Sequence, residues 1–489
     1  MRRPLYILHA LGLITMVWSF SLLLPYAASL YYEDGWDSNF LYAFTIAIGA
    51  GAVMSLIGYP FRRELRLRDG LLLVVLVWLL FPLIAAAPLL LPYSPDNYNF
   101  SFTHAYYEMV SGLTTTGSSV IVDITNLPAS INIWRHSLIW FGGMGILVLA
   151  VAILPLLGVG GHQVMRGETP GPMKEEKLTP RIASTAKALY LIYFGLSLLC
   201  LLAYRWVGLD WFDAWCHTAS TMGLGGFSSY SGGFAEMNNP LADLVACVFM
   251  LFAGINFATH FTAWRGRSLR AYLNCPEAIP FLSVTLFSAL FISLYLLLTG
   301  YYSTPYEAFR YGFFNTISVA TTTGFANTDY SSWPLGLAIW LLFIGCFATS
   351  AGSTGGGIKM IRILIILKQF GLELKRLLHP HGVFPLKLKS RIIDQNVVTS
   401  ILLFLILFIA LFLLITALLL IAGRDYATAF SAALASLANI GPGLGEVGPM
   451  GSYGYLSDFE IWVCTFAMII GRLELFTVIV IFTPGFWRR

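Results

Sequence analysis

The chain has 489 residues, of which 57% are hydrophobic and 11% charged, with a formal net charge of +4. Soluble domains carry about 25% charged residues, so this composition excludes a soluble globular protein and requires lipid. So small a net charge identifies no polyanionic partner, and no nucleic acid is expected.

In chain order, apolar segments of spanning length lie at Leu5–Leu30, Phe40–Phe61, Gly70–Leu91, Ile133–Leu157, Ala188–Val207, Leu241–Phe261, Ile279–Leu298, Pro334–Leu367, Val397–Ala422 and Phe459–Phe482. The first has the basic start, apolar core and small-residue end of a signal peptide, but its core exceeds the usual ~7–15 residues. A retained helix is expected. With the N-terminus in the cytoplasm, every basic residue faces inward except Arg135, Arg205, Arg310 and Arg424, outside, and Arg472, in the membrane. Asp96, Asp123, Asp210, Asp213, Glu236, Asp329, Glu446 and Asp458 then form an acidic outer surround that concentrates cations. Both termini are expected in the cytoplasm.

Between these spans lie four apolar segments too short to cross, each running into a small-residue loop. The half-helices are predicted at His104–Leu113, Phe212–Thr221, Tyr306–Ala320 and Tyr426–Ala438. The loops are TTTGS (Thr114–Ser118), GLGGFS (Gly223–Ser228), TTTGFA (Thr321–Ala326) and NIGPG (Asn439–Gly443). Aligned on Gly117, Gly226, Gly324 and Gly441, the repeats are 109, 98 and 117 residues apart. Non-helical backbone at membrane depth is tolerated only where it is enclosed by protein or lines a watery cavity. Four such loops around one axis give rings of carbonyl oxygens that can replace the hydration shell of a cation. Potassium at this filter is the only metal expected, at Thr115, Thr116, Gly117, Leu224, Gly225, Gly226, Thr322, Thr323, Gly324, Asn439, Ile440 and Gly441. The half-helices, opened by Asp210 and Asp213, Thr304 and Pro305, and Asp425, aim their negative dipole ends at the ion.

The reading is therefore an all-α integral membrane protein: two N-terminal helices (1–68) and four units of helix, half-helix, loop and helix around one pore. The units are expected at 69–165, 166–270, 271–390, with a broken second helix, and 391–489. One glycine shared by all four loops predicts a short filter with modest potassium-over-sodium discrimination. Glycines 142, 143 and 145 in FGGMG read as helix-packing positions.

The stretches GLTTTGS (112–118), WFGGMGILVLAVAILPLLGVGG (140–161), PGPMKEEKLTPRIASTAKALY (170–190), GGFS (225–228), AGSTGGGIKMIR (351–362), ANIGPGLG (438–445) and IIGRLELFTVIVIF (469–482) resemble the TrkH/TrkG branch of the Trk–Ktr–HKT potassium transporters. The resemblance covers essentially the whole chain. It implies a homodimer in the bacterial inner membrane, and a cytoplasmic TrkA-like ring through which alone a nucleotide, ATP/ADP or NAD, acts. Gly223 and Thr323 depart from that pattern, which expects alanine at each.

The span Pro334–Leu367 is interrupted by ATSAGSTGGG (348–357), too polar for a lipid-facing helix. Beneath the filter, and as the resemblance implies, it reads as a gate loop at Ala351, Gly352, Ser353, Thr354, Gly355, Gly356 and Gly357; a static glycine-rich kink is the other reading. GSTGGGIK superficially resembles a phosphate-binding loop, but Ile358 precedes Lys359 and Met360 follows it, so the spacing fails, and no strand precedes it.

Arg472, costly at mid-membrane, is expected under the filter as a barrier to cations, or as a partner for carbonyls of the broken helix, or both. Glu474, two residues on, lies on a different helix face and is not its natural partner.

The six cysteines form no CxxC pair and the eight histidines no HExxH motif, and no nucleophile–base pair appears, so no catalytic residue and no enzyme activity are expected. The function read is potassium uptake through a gated pore. Symport with protons or sodium is the alternative, weakened because no carboxylate except Glu474 lies centrally in a span. The linkers Arg166–Lys187, Arg265–Arg270 and Lys359–Arg391 are the expected docking face for the ring.

Overall fold

Six helices are long and apolar enough to cross a bilayer among the described residues, at Leu5–Tyr32, Asp37–Phe61, Arg68–Leu90, Thr185–Trp206, Ala278–Leu298 and Gln395–Ile421. The computed structural model describes residues 3–62, 65–91, 100–152, 178–389 and 391–488. Asp96, residues 166–177 of the first basic linker, the end of the predicted Ile133–Leu157 span and Arg489 lie outside them.

The helices are α1 (Arg3–Ser19), α2 (Leu23–Tyr32), α3 (Asp37–Gly58), α4 (Leu67–Leu90), α5 (Phe102–Leu113), α6 (Ala129–Ala152), α7 (Leu178–Trp206), α8 (Trp211–Gly223), α9 (Gly233–Met237), α10 (Pro240–Gly254), α11 (Phe257–Gly266), α12 (Arg270–Asn274), α13 (Ala278–Leu298), α14 (Pro305–Ala320), α15 (Leu335–Gly345), α16 (Met360–Leu378), α17 (Gln395–Ile421), α18 (Tyr426–Ala438), α19 (Asp458–Arg472), α20 (Leu475–Ile479) and α21 (Pro484–Trp487). Among the described residues, the only strands are the two-residue antiparallel pair β1 (Lys387–Leu388) and β2 (Arg391–Ile392). The other regular elements among the described residues are helices, as backbone that must satisfy itself in lipid requires.

Helix α1 lies against α3, with a Cβ at Gly58 reaching 2.2 Å from the His9 amide nitrogen. Close approach of this kind is how membrane helices associate without a hydrophobic drive.

Two predicted spans are corrected. Leu241–Phe261 is not one helix: α10 and α11 meet at 92°. Gly254 ends the first, and Asn256 caps the second by accepting the Ala258 amide at 2.8 Å. Phe459–Phe482 bends by 109° between α19 and α20, and Glu474 there takes a left-handed φ of 58°. Arg472 is thus the last residue of α19, not the middle of a spanning helix. The predicted interruption of Pro334–Leu367 is present, α15 ending at Gly345 and α16 starting at Met360.

The short helices α5, α8, α14 and α18 are buried towards their C-terminal ends; every residue from Ala105 to Leu113 is buried, as is almost every one from Thr428 to Ala438. Re-entrant backbone requires this enclosure. One apolar core joins Leu113, Val319, Ala438, Ile440, Met468 and Leu473, so ends of three of these helices share a centre.

Candidate functional site

Each short helix is fixed at both ends by local chemistry. At the N-termini the side chains of Ser101, Asp210, Thr304 and Asp425 accept the amides of His104, Asp213, Glu307 and Thr428. Ser101 was not singled out in the sequence. The hydroxyl and amide of Thr428 help hold the Asp425 carboxyl below its ordinary range.

At the C-termini, Thr115, Leu224, Thr322 and Asn439 all turn left-handed, with φ of 54°, 54°, 60° and 55°. The next amide then reaches back five residues: Thr116 to the Ser111 carbonyl (2.9 Å), Gly225 to Ser220 (3.0 Å), Thr323 to Ser318 (2.8 Å) and Ile440 to Ala435 (2.8 Å). This is the Schellman closure, repeated four times on unlike sequences.

The closure delivers Gly117, Gly226, Gly324 and Gly441 to one ring. A Cβ on Gly117 would sit 2.3 Å from the Gly226 nitrogen; on Gly226, 2.5 Å from the Thr323 oxygen; on Gly324, 2.2 Å from the Ile440 oxygen; on Gly441, 2.6 Å from the Thr116 oxygen. Each loop lies against the next and the fourth returns to the first. Gly117, Gly324 and Gly441 have φ of 80°, 86° and 98°, where an L side chain is strained. Gly226 does not, and is held to glycine by contact alone.

The carbonyl oxygens of Thr116, Thr323 and Ile440, at the junctions of this ring, receive no protein hydrogen bond among the described residues. The hydroxyl of Thr115 and the amide oxygen of Asn439 are likewise buried without a protein partner. Other side chains brace the ring: Thr114 to Thr116 (2.8 Å), Thr321 to Thr323 (2.7 Å), and Asn439 donating to the Thr116 hydroxyl (2.9 Å). A cavity of about 340 Å³, lined by Gly117, Gly226, Gly324, Pro442, Tyr230 and Tyr453 among others, opens on one side of the ring.

The opposite side is filled by the loop before α16. The Gly356 amide donates to the Thr322 hydroxyl (2.8 Å), and the Thr354 hydroxyl to the Met222 carbonyl (2.9 Å). A Cβ on Gly355 would reach 3.0 Å from the Thr321 oxygen, and one on Gly356 2.2 Å from the Ala438 oxygen. The loop therefore touches the ends of three of the four short helices. Arg472 donates to the Thr354 carbonyl (2.9 Å) and, at 3.5 Å, to that of Gly142; its Nε is buried without a partner. Lys359 donates to the Gly355 carbonyl. Two cations thus sit on loop carbonyls, beside a residual cavity of about 40 Å³. The Thr354 carbonyl that Arg472 bonds belongs to the broken stretch between α15 and α16. Glu474 pairs with Arg362 at 2.6 Å, not with Arg472.

Ion pairs behind the ring, buried in whole or in part, were not read from the sequence. Arg135 and Glu108 meet at 2.6 Å with no exposure, and Glu108 also accepts the Val120 amide (2.9 Å). Arg310 meets Asp243 at 2.7 Å, and Arg424 meets Glu460 at 2.7 Å and Glu446 at 2.5 Å. Three arginines assigned to the outside are thus partly or wholly buried in pairs. The signal available was a charged residue inside each apolar segment, which is costly unless paired. No cluster of His, Cys, Asp or Glu among the described residues could hold a metal ion.

A cation-transport family model, TrkH, matches residues 37–488. The chain belongs to the TrkH family. It is 43% identical over 485 residues to the Trk system potassium uptake protein TrkH of Halomonas elongata, covering 99% of each chain. It is 39% identical over 486 residues to the protein of that name from Escherichia coli K12, again covering 99% of each. Its structure matches the crystal structure of the potassium transporter TrkH from Vibrio parahaemolyticus with a TM-score of 0.90, at 39% identity and 99% coverage of each chain. TrkH proteins are cation transporters and not enzymes, so the chain is a multi-pass membrane transporter. Against the TrkH pattern, Gly223 has a local reason: a Cβ there would sit 2.5 Å from the Ile139 side chain. Thr323 uses its hydroxyl on Thr321.

Proposed function

We propose that this chain is the membrane-spanning subunit of a potassium uptake system, a cation-selective pore closed from below by its own loop. The observation that carries this is the ring of Gly117, Gly226, Gly324 and Gly441, each approached by the neighbouring loop's backbone. Carbonyls left without protein donors in three of the four loops, at the C-terminal ends of the short helices, supply the oxygen field and dipole that a dehydrated cation needs. Its filter is Thr115–Gly117, Leu224–Gly226, Thr322–Gly324 and Asn439–Gly441, set in four units at 69–165, 166–270, 271–390 and 391–489 after two N-terminal helices. Ala351–Gly357 with Arg472 is its gate. The 340 Å³ cavity faces outward, and the basic segments and both termini face the cytoplasm of a bacterial inner membrane. The chain works as a homodimer with a TrkA-like ring, which alone binds the gating nucleotide.

Proton or sodium symport is less favoured. The carboxylates behind the ring, Glu108, Asp243 and Glu460, are each engaged in an ion pair with an arginine and do not stand free for a coupling ion. Flux into proteoliposomes tests the proposal. Potassium entry should exceed sodium entry, proceed without a proton gradient, and respond to nucleotide only when a TrkA-like ring is added. Equal entry of both ions would remove the filter, and an absolute requirement for a proton gradient would establish symport.

A further inference from the structure

Glu277 stands one residue before α13, where a carboxylate ordinarily caps its own helix, yet it makes no such bond. It is buried, and a single oxygen of it accepts two amides from elsewhere: Ala351 at 2.8 Å and Ile361 at 3.1 Å. These residues flank the glycine-rich loop, so its two ends meet on one atom. The loop's body is held by the same stretch of chain. The Ser350 amide donates to the Gly254 carbonyl (3.0 Å), Thr354 to Ala253 (3.4 Å), and the Phe257 amide donates to the Gly352 carbonyl (3.0 Å). All five hydrogen bonds are made with residues 253–277, which run from the break between α10 and α11 to the foot of α13. That connection also carries the exposed Arg265, Arg267 and Arg270.

We infer that Glu277 is the latch of the loop, the contact through which the 253–277 connection holds it across the pore. This rests on the reading of 351–357 as a gate. Releasing the carboxylate removes one contact at each end of the loop at once, while Arg472 and Lys359 still bond its middle. A pull on α11 and α12, applied through their arginines, would move the broken-helix contacts and the latch together. Glu277 acts on the loop and touches no ion, so it is a positioning residue.

The test compares Glu277→Ala, Glu277→Gln and a deletion of residues 352–356 in full-length chain, as rubidium flux into proteoliposomes per folded molecule. Glu277→Ala should raise flux about tenfold or more, the equivalent of one charge-assisted hydrogen bond lost from the closed state. Glu277→Gln, whose amide oxygen still accepts both amides, should stay within about threefold of wild type. A raised flux in the deletion variant with an unchanged Glu277→Ala would overturn the latch and leave the gate standing. No rise in the deletion variant would overturn the gate itself. If Glu277→Ala does not fold, Glu277→Asp, one methylene too short to reach both amides, takes its place, and unchanged flux again overturns the latch.

Discussion

At the ring, four segments of different sequence reach the same backbone geometry; beneath it, one loop from a single repeat is held by unlike elements. The ring uses the same devices four times: a capped helix, a left-handed residue, an amide reaching back five positions, and a glycine against the next loop. The loop is asymmetric, bonded to the Met222 carbonyl, the Thr322 hydroxyl, the break at Ala253–Gly254, Glu277, and the cations Arg472 and Lys359. A filter needs equivalent oxygens around a cation and gains from repetition. A gate has to leave, and one loop held by a few separate contacts can be released where four interlocked ones cannot. The helices that follow the four short ones show the same division. Helix α6 runs unbroken through its described residues to Ala152, while α10 with α11 and α19 with α20 break where they meet the loop, and α15 and α16 flank it.

The contrast can be tested from both sides. The largest effect is expected behind the ring: Glu108→Ala leaves Arg135 buried and unpaired, costing about 3–5 kcal/mol. It should appear as a lowered melting temperature and a loss of folded yield; a fully stable variant would show that the pair does not support the ring.

On the loop side, Arg472→Ala should raise potassium flux per folded molecule. At an effective dielectric of ~20, a unit charge ~6 Å from a passing ion costs about 3 kcal/mol, so the gain is about a hundredfold at most. Flat flux with reduced yield would make Arg472 a backbone clamp alone.

Within the ring, Gly324→Ala adds left-handed strain of about 1–2 kcal/mol to a backbone contact, and should lower the potassium-to-sodium flux ratio by roughly tenfold. Gly226→Ala makes a contact without that strain and should lower the ratio less; the reverse order would show that ring closure, not backbone conformation, sets selectivity. The smallest effect is expected far from both regions. Arg376→Ala removes an exposed pair with Glu373 and should shift stability by less than about 1 kcal/mol.

Sequence alone determined what depends on composition, period and repetition. The membrane class, the approximate positions of the unbroken spans, the four short helices, the register of their glycines and the interruption before α16 were all legible, because each leaves a local mark. The glycine positions were readable since only glycine tolerates the approach of the neighbouring loop, joined at Gly117, Gly324 and Gly441 by a left-handed backbone. Only the tertiary structure decided where long-range partners meet. The 92° and 109° breaks look like continuous apolar runs, and are stabilised by contacts such as Ser350 with Gly254. The pairing of Glu108 with Arg135, of Glu474 with Arg362, and of Glu277 with two amides joins residues up to 112 positions apart. No periodicity records such a pairing. A buried charge announces in the sequence that it must have a partner, but the fold alone determines which one.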